Sequence, residues 1–329
     1  MDDQADAMTT TAAKHFVTLF DLQFLPLGLA LYRSLQEYAS HAELWVVCMD
    51  REVEAALSKL SLPGLHIIPL SEIETEDLLS VKPTRTRAEY CWTLTPFTME
   101  AVFAREPNVR RVTYLDADLL FFDSPENLLS ELTDSDRQIL ITEHAYAPEY
   151  DQTATSGRFC VQFMTFNRHA AALEVAHWWQ QRCLECCSEV PIDGKFGDQK
   201  YLDEWPDLFE EDVHILKQVE KTLAPWNVGY QSVQTKGKLM PVFYHFHGFR
   251  IYAGERCRLY SGYQIPDEAL SLYQHYLAEL RKSFAQLTEA GVAIEYAPLS
   301  NSVIEQARRF KRKIQRTEAY RNMKDSTPF

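Results

Sequence analysis

The residue types best suited to chemistry stand at Asp116 and Asp118, inside Val112-Thr113-Tyr114-Leu115-Asp116-Ala117-Asp118-Leu119-Leu120-Phe121-Phe122. In extended backbone, side chains two apart share a face, so both carboxylates can aim at one point. Ionised carboxylates leaving water need a partner. A divalent cation bridging to a phosphate supplies one, because hard oxygen ligands suit Mg²⁺ and Mn²⁺. The competing reading is a strand-end turn with two solvated acids. His245 and His247 repeat the same spacing at the end of Val242-Phe243-Tyr244-His245-Phe246-His247-Gly248. One imidazole beside two carboxylates is an ordinary Mn²⁺ set; two hydrogen-bonded aromatic-belt histidines are the alternative. Asp198-Gln199, flanked by Gly194 and Gly197, reads either as a helix N-cap or as an acid and an amide facing a sugar.

These residues need a scaffold, and the apolar periodicity describes one. His15 to Asp21, Glu43 to Asp50 and Leu65 to Leu70 read as buried strands, separated by helices over 27–39 and 52–60. Arg85 to Tyr90 reads as a polar loop, and a helix follows over 96–104 with Thr95 as N-cap and Pro96 in its first turn. Further strands are expected at 138–142 and 159–166, and helices from Asp123 to Leu132, over 168–187, 266–284 and 302–320. Alternating strands and helices argue for an α/β fold with a mostly parallel sheet flanked by helices. Such sheets bind ligands beyond the carboxyl ends of their strands, where Asp21, Asp50 and the Asp116 pair all fall. The expected organisation is a disordered tail over 1–13, one catalytic domain over 14–255 and a C-terminal helical extension over 256–329.

Composition narrows the function. Apolar residues at 46% suffice for a sizeable core, so global disorder is excluded. A net charge of −14 argues against a nucleic-acid partner but not against a nucleotide, because a bound cation offsets local acid charge. No apolar run is long enough to span a membrane, and the acidic, polar start does not read as a secretory signal. Seven cysteines without framework spacing fit a reducing cytoplasm. Cys183, Cys186 and Cys187 lack a second ligand pair for zinc and read as a packing face. Residues 308–316 carry six basic side chains, with Ile304, Ala307, Phe310 and Ile314 on another face. Two readings stay open there: a packed terminal helix with a solvated basic face, or peripheral contact with an anionic membrane at its inner face.

In this order the chain resembles nucleotide-sugar glycosyltransferases of the GT-A type, in particular bacterial relatives of glycosyltransferase family 8. The resemblance is carried by Thr18 to Leu35, Tyr114-Leu115-Asp116-Ala117-Asp118, Gly194 to Leu202, Leu223-Ala224-Pro225-Trp226-Asn227 and Tyr244-His245-Phe246-His247-Gly248. It implies a single GT-A-like sheet and transfer of a sugar, with retention, from a UDP-linked donor to a saccharide or lipid-linked acceptor. By motif, Asp116, Asp118 and His245 would hold Mn²⁺ (or Mg²⁺) on the donor diphosphate. His247 and Gly248 would lie at the phosphates, Asp198 and Gln199 at the transferred sugar, and Thr18 and Asp21 near the nucleoside, with Arg87 reaching the acid strand or the donor. Two departures stand out. The lysine the family places after H-x-x-G is absent, leaving Arg250 as the basic group, and Gln162 stands where such chains carry Asn-x-Gly. A nucleotidyltransferase on the same sheet lacks its Gly-rich basic loop here, since that place reads Asp21-Leu22-Gln23-Phe24-Leu25-Pro26. A sugar-nucleotide hydrolase, or a binding protein without transfer, is the other alternative.

Overall fold

A computed structural model of the chain describes residues 13–325 and 327. The tail expected over 1–13 lies outside the described residues except for Ala13. The centre is a seven-stranded sheet made of β1 (Lys14–Phe20), β2 (Ala42–Cys48), β3 (Leu65–Pro69), β4 (Arg111–Leu115), β6 (Ile139–Glu143), β7 (Phe159–Asn167) and β8 (Val213–Ile215). Its spatial order is β3-β2-β1-β4-β7-β6-β8. All neighbours run parallel except β7, which is antiparallel to both β4 and β6. A three-stranded sheet of β5 (Leu119–Phe121), β10 (Phe243–His245) and β9 (Thr222–Leu223) stands beside it. A third sheet holds β11 (Arg250–Tyr252), β12 (Arg256–Ser261) and β13 (Glu318–Asn322).

Side chains on the two faces of the central sheet enter two separate cores. On β1, Val17 and Leu19 face one core with Val47, Leu94 and Trp179. Phe16 and Phe20 face the other, under the helix Leu25–Tyr38. That helix approaches β1 so closely that a Cβ on Gly28 would lie 2.4 Å from the Phe20 ring. Glycine is there for space. A third core joins β10 and β12 to the helix Asp267–Glu289, with Phe246 stacked on Tyr276 at 3.8 Å between ring centres.

Several expectations give way at particular residues. The loop expected at 85–90 is instead the start of a helix, Arg87–Leu94. Thr86 and Glu89 cap it reciprocally, each side chain accepting from the other's backbone N–H. Thr95 is not the N-cap of the next helix: Thr95–Phe97 forms a tight turn, and Thr98–Arg105 follows from Phe97 without a side-chain cap. The helix expected over 302–320 stops at Ile314, and Glu318–Asn322 forms a strand against β12. Among the described residues, no helix is long and apolar enough to cross a membrane.

Candidate active site

Asp116 and Asp118 sit where the chain passes from one sheet to another. Asp116 follows the last residue of β4 and Asp118 precedes the first of β5. The three residues form a turn, closed by the Leu119 N–H donating to the Asp116 carbonyl at 3.2 Å. Convergence of the acids therefore comes from a turn and not from the pleat of one continuous strand. The Asp116 N–H donates to the Gln162 carbonyl of β7 at 3.1 Å, and the Tyr114 hydroxyl donates to its carboxylate at 3.0 Å. The Asp118 carbonyl accepts from the Phe246 N–H at 3.0 Å, which ties it to the end of β10.

β10 runs antiparallel to β5 with His245 opposite Leu119, and this register delivers the imidazole to the acids. His245 Nε2 lies 3.1 Å from Asp118 and 3.8 Å from Asp116. One ligand atom from each of the three residues lies within 4.8 Å of the others. The other ring nitrogen, Nδ1, donates to the Gln162 side-chain carbonyl at 2.8 Å. That bond fixes the ring and leaves Nε2 toward the carboxylates, the arrangement metal-ligating histidines use. The donor set thus fits a hard divalent cation: two acids, one oriented imidazole, all largely buried.

The electrostatics bind the three groups into one set. Burial pushes the Asp116 carboxyl up to about 6, with His245 opposing the shift and Asp118 adding to it. Burial also resists ionisation of Asp118, but the charge and hydrogen bond of His245 outweigh it and hold this carboxyl at about 2. His245 responds in kind. Burial alone would favour neutral imidazole, yet the two acids raise it well above its ordinary range.

The acids open into a cleft of about 610 Å³ beyond the carboxyl ends of β1, β2 and β4. Asp198 lines it with only 3% of its surface exposed. One carboxylate oxygen, Oδ2, has no hydrogen-bond partner among the described residues, and burial, then the charge of Asp116, raises the group to about 7. It does not cap a helix, because the turn Lys200–Glu204 begins after Gln199. Gln199 also lines the cleft and donates its side-chain N–H to the Ser156 carbonyl at 2.8 Å.

The remaining sequence candidates divide into two groups. Asp21, Arg87, His247, Gly248 and Arg250 all reach the cleft. Asp21 and Asp50 cap the segments after β1 and β2, and both accept from the Arg87 guanidinium, at 2.7 and 2.5 Å. Arg87 therefore ties two strand ends together and does not pair with Asp116 or Asp118. Gly248 has a φ of 77°, which a side chain would strain. The Arg250 guanidinium lies over the Phe24 ring at 5.7 Å, and its charge helps hold Asp118 ionised. Thr18 and Gln162 are fully buried and do not line the cleft. Thr18 shares the face of β1 with Phe16 and Phe20, below the cleft floor. Gln162 stands behind His245.

One feature was not assigned from sequence: an aromatic wall around Trp226. The Trp226 ring lies 5.3 Å from His245, 5.4 Å from His247, 6.2 Å from Tyr146 and 6.5 Å from Tyr263. Its indole N–H donates to the His144 carbonyl at 2.7 Å, and Asn227 locks the turn by bonding Ala224, Thr222 and His144. The Pro225-Trp226-Asn227 turn was the available signal, an aromatic held in a turn that the Asn227 hydrogen bonds fix.

No model of a known protein family matches the chain. Among curated proteins it is 33% identical over 237 residues to the uncharacterized protein YfnF of Bacillus subtilis (strain 168), covering 68% of this chain and 78% of YfnF. It is 29% identical over 290 residues to YfnD of the same organism, covering 84% of this chain and 91% of YfnD. Among solved structures, the apo form of the bifunctional glycosyltransferase WbbM superposes with a TM-score of 0.50 at 12% identity, over 84% of this chain and 52% of that one. The central sheet, its flanking helices and the C-terminal helices are those of a GT-A-like glycosyltransferase fold. At the identity and coverage shared with YfnF, this chain belongs to the YfnF family.

Proposed function

We propose that this chain is a retaining glycosyltransferase of the family 8 type, moving a sugar from a UDP-linked donor to a saccharide or lipid-linked acceptor. The observation that carries the reading is the convergence of Asp116, Asp118 and His245 at the floor of the cleft. Those three residues would hold Mn²⁺ or Mg²⁺, which would stabilise the charge developing on the departing diphosphate. His245 must give up its Nε2 proton to serve as a ligand, and Gln162 keeps the ring in place while it does so.

The chain's own groups supply the rest. At the same end of the cleft, Arg250 contributes positive charge to the leaving phosphates, and His247, which burial lowers to about 4 and so keeps neutral, contributes a hydrogen bond. Arg87, held between Asp21 and Asp50, shapes the side toward the nucleoside. Asp198 and Gln199 take the hydroxyls of the transferred sugar, and the buried carboxylate of Asp198 lies on the side where an oxocarbenium-like centre develops. Trp226, Tyr146 and Tyr263 give the acceptor an aromatic wall of mutually inclined rings. The placement of Gln162 behind His245 weakens the case for a binding protein without transfer, because this departure leaves the cleft wall unobstructed.

A thermal-shift screen of nucleotide sugars with and without Mn²⁺ tests the proposal. A ligand that binds the native state at a hundredfold its dissociation constant adds about 2.7 kcal/mol of apparent stability. A UDP-sugar is expected to raise Tm only when Mn²⁺ is present. Stabilisation by no nucleotide sugar, or stabilisation indifferent to the cation, would overturn it.

A further inference from the structure

The helix Val303–Ile314 is oriented in an unusual way for a surface helix. Ser302 caps it, accepting from the Glu305 N–H, and β13 follows to fasten its far end to β12. Amphipathic helices normally turn their apolar stripe to the body of the protein. Here the polar side does so. Glu305, Arg309 and Arg312, one above another at helical spacing, are the partly buried residues of this helix. Arg312 pairs with the buried Glu318 at 3.3 Å, and Arg309 donates to the Ser300 carbonyl at 2.7 Å.

The opposite stripe is Val303, Ala307, Phe310 and Ile314, and it faces solvent. Val303 is 81% exposed, Phe310 68% and Ile314 69%, with Ile304 beside them at 66%. Lys311 and Lys313 flank the stripe on its two sides, and neither has an acidic partner among the described residues. Arg308, paired with Glu305 at 2.7 Å, extends the basic border. On a chain of net charge −14, this is a segregated patch: apolar in the middle, cationic at the edges, and turned away from the body.

We propose that this helix lies in the plane of an anionic lipid bilayer, with the Val303–Ile314 stripe among the acyl chains and Lys311 and Lys313 at the headgroups. The charge pattern selects the occupant. Lysines bordering an apolar stripe keep their ammonium groups in the headgroup layer while their stems cover apolar surface, whereas two copies pairing through this stripe would bring like charges together at its edges. The position is also suggestive. The Gln315 carbonyl, at the end of the helix, accepts from the Gln264 side chain at 3.1 Å. The Gln264 backbone N–H donates to the Tyr150 hydroxyl at 2.8 Å, and the neighbouring Tyr263 lines the cleft. A membrane held by this helix lies next to the aromatic end of the site. Resting on the transferase reading, the inference narrows the acceptor to a lipid-linked saccharide.

The test is co-sedimentation of the full chain with vesicles of phosphatidylcholine alone or mixed with phosphatidylglycerol, without donor. Binding is expected to the anionic vesicles only, and to weaken as salt is added. Phe310→Asp with Ile314→Asp, both at exposed positions, is expected to lower partitioning more than tenfold. Lys311→Glu with Lys313→Glu is expected to lower it by at least about fivefold per removed charge, from about 1 kcal/mol for each basic residue near an anionic surface. Donor-induced thermal stabilisation, measured on the same variants, is expected to stay at the wild-type value. That separates the two readings: vesicle binding without donor stabilisation counts against the transferase alone. Absence of wild-type binding to anionic vesicles, equal binding to neutral ones, or double variants that bind as wild type would overturn the proposal. So would a dimer in solution that Phe310→Asp dissolves, since a second copy would then own the stripe.

Discussion

Asp198→Asn is expected to stabilise the fold at neutral pH while removing transfer. Asp198 is 3% exposed, one of its carboxylate oxygens has no partner among the described residues, and burial followed by the charge of Asp116 raises the carboxyl to about 7. An unfolded aspartate loses its proton near pH 4, so between about pH 4 and pH 7 the native chain holds a proton the unfolded chain has released. More protons bound in the native state means stability falls as pH rises through that window and stays level above it. At about 1.36 kcal/mol per unit, the shift corresponds to about 4 kcal/mol, an upper value for the gain. Over 329 residues, with an unfolding entropy of about 2.1 cal/mol/K per residue, that is about 6 °C in Tm. Asparagine keeps a carbonyl to accept from Thr95 and from the Gln199 backbone, so the packing survives. Calorimetry in metal-free buffer should therefore show the variant melting above wild type at about pH 8 and level with it at about pH 4. A difference that is absent at neutral pH, or that does not shrink on acidification, would refute the assignment of a strained buried carboxylate.

Three further changes follow from the site and its support. Asp118→Ala should lose the Mn²⁺-dependent part of donor stabilisation, about 2.7 kcal/mol at ligand a hundredfold above its dissociation constant, read as a Tm shift that no longer responds to the cation. Gln162→Leu should weaken Mn²⁺ binding by about 10- to 100-fold in calorimetric titration while the fold melts near wild type, because the lost bond orients His245 without being a ligand. Gly28→Ala should cost about 1–3 kcal/mol in denaturant unfolding, since its methyl would sit 2.4 Å from the ring of Phe20, which is buried under the helix Leu25–Tyr38.

Sequence patterning made the first half of the sheet legible because buried parallel strands are nearly continuous apolar runs, as in Phe16 to Phe20, broken only by Thr18, and Leu44 to Cys48. It could not tell that β7 runs against its neighbours, since a fully buried strand reads the same in either direction. Thr86 and Glu89 carry a capping-box signature, masked by the polar composition of the residues around it. β11 and β13 were not foreseen, because Arg250, Glu318 and Arg321 give short strands at an edge no apolar alternation. At the site, residue type located the acids and His245, while their mutual distance depends on strand register. Gln162 and Thr18 show the limit: proximity in a motif does not say which side of a strand faces the ligand.

The turn at Asp116-Ala117-Asp118 gives the spacing of the two acids a second meaning. Asp116, Ala117 and Asp118 are the whole link between the end of β4 and the start of β5. The interval between the carboxylates is thus a joint width as much as a coordination requirement. An extra residue there would slide Leu119 past His245 and unseat β5 from β10, so the motif would fail by misfolding before it failed by chemistry. By the same geometry, an ion gripped across this joint would act as a rivet, and amide exchange should slow along Leu119–Phe121 and Phe243–His245.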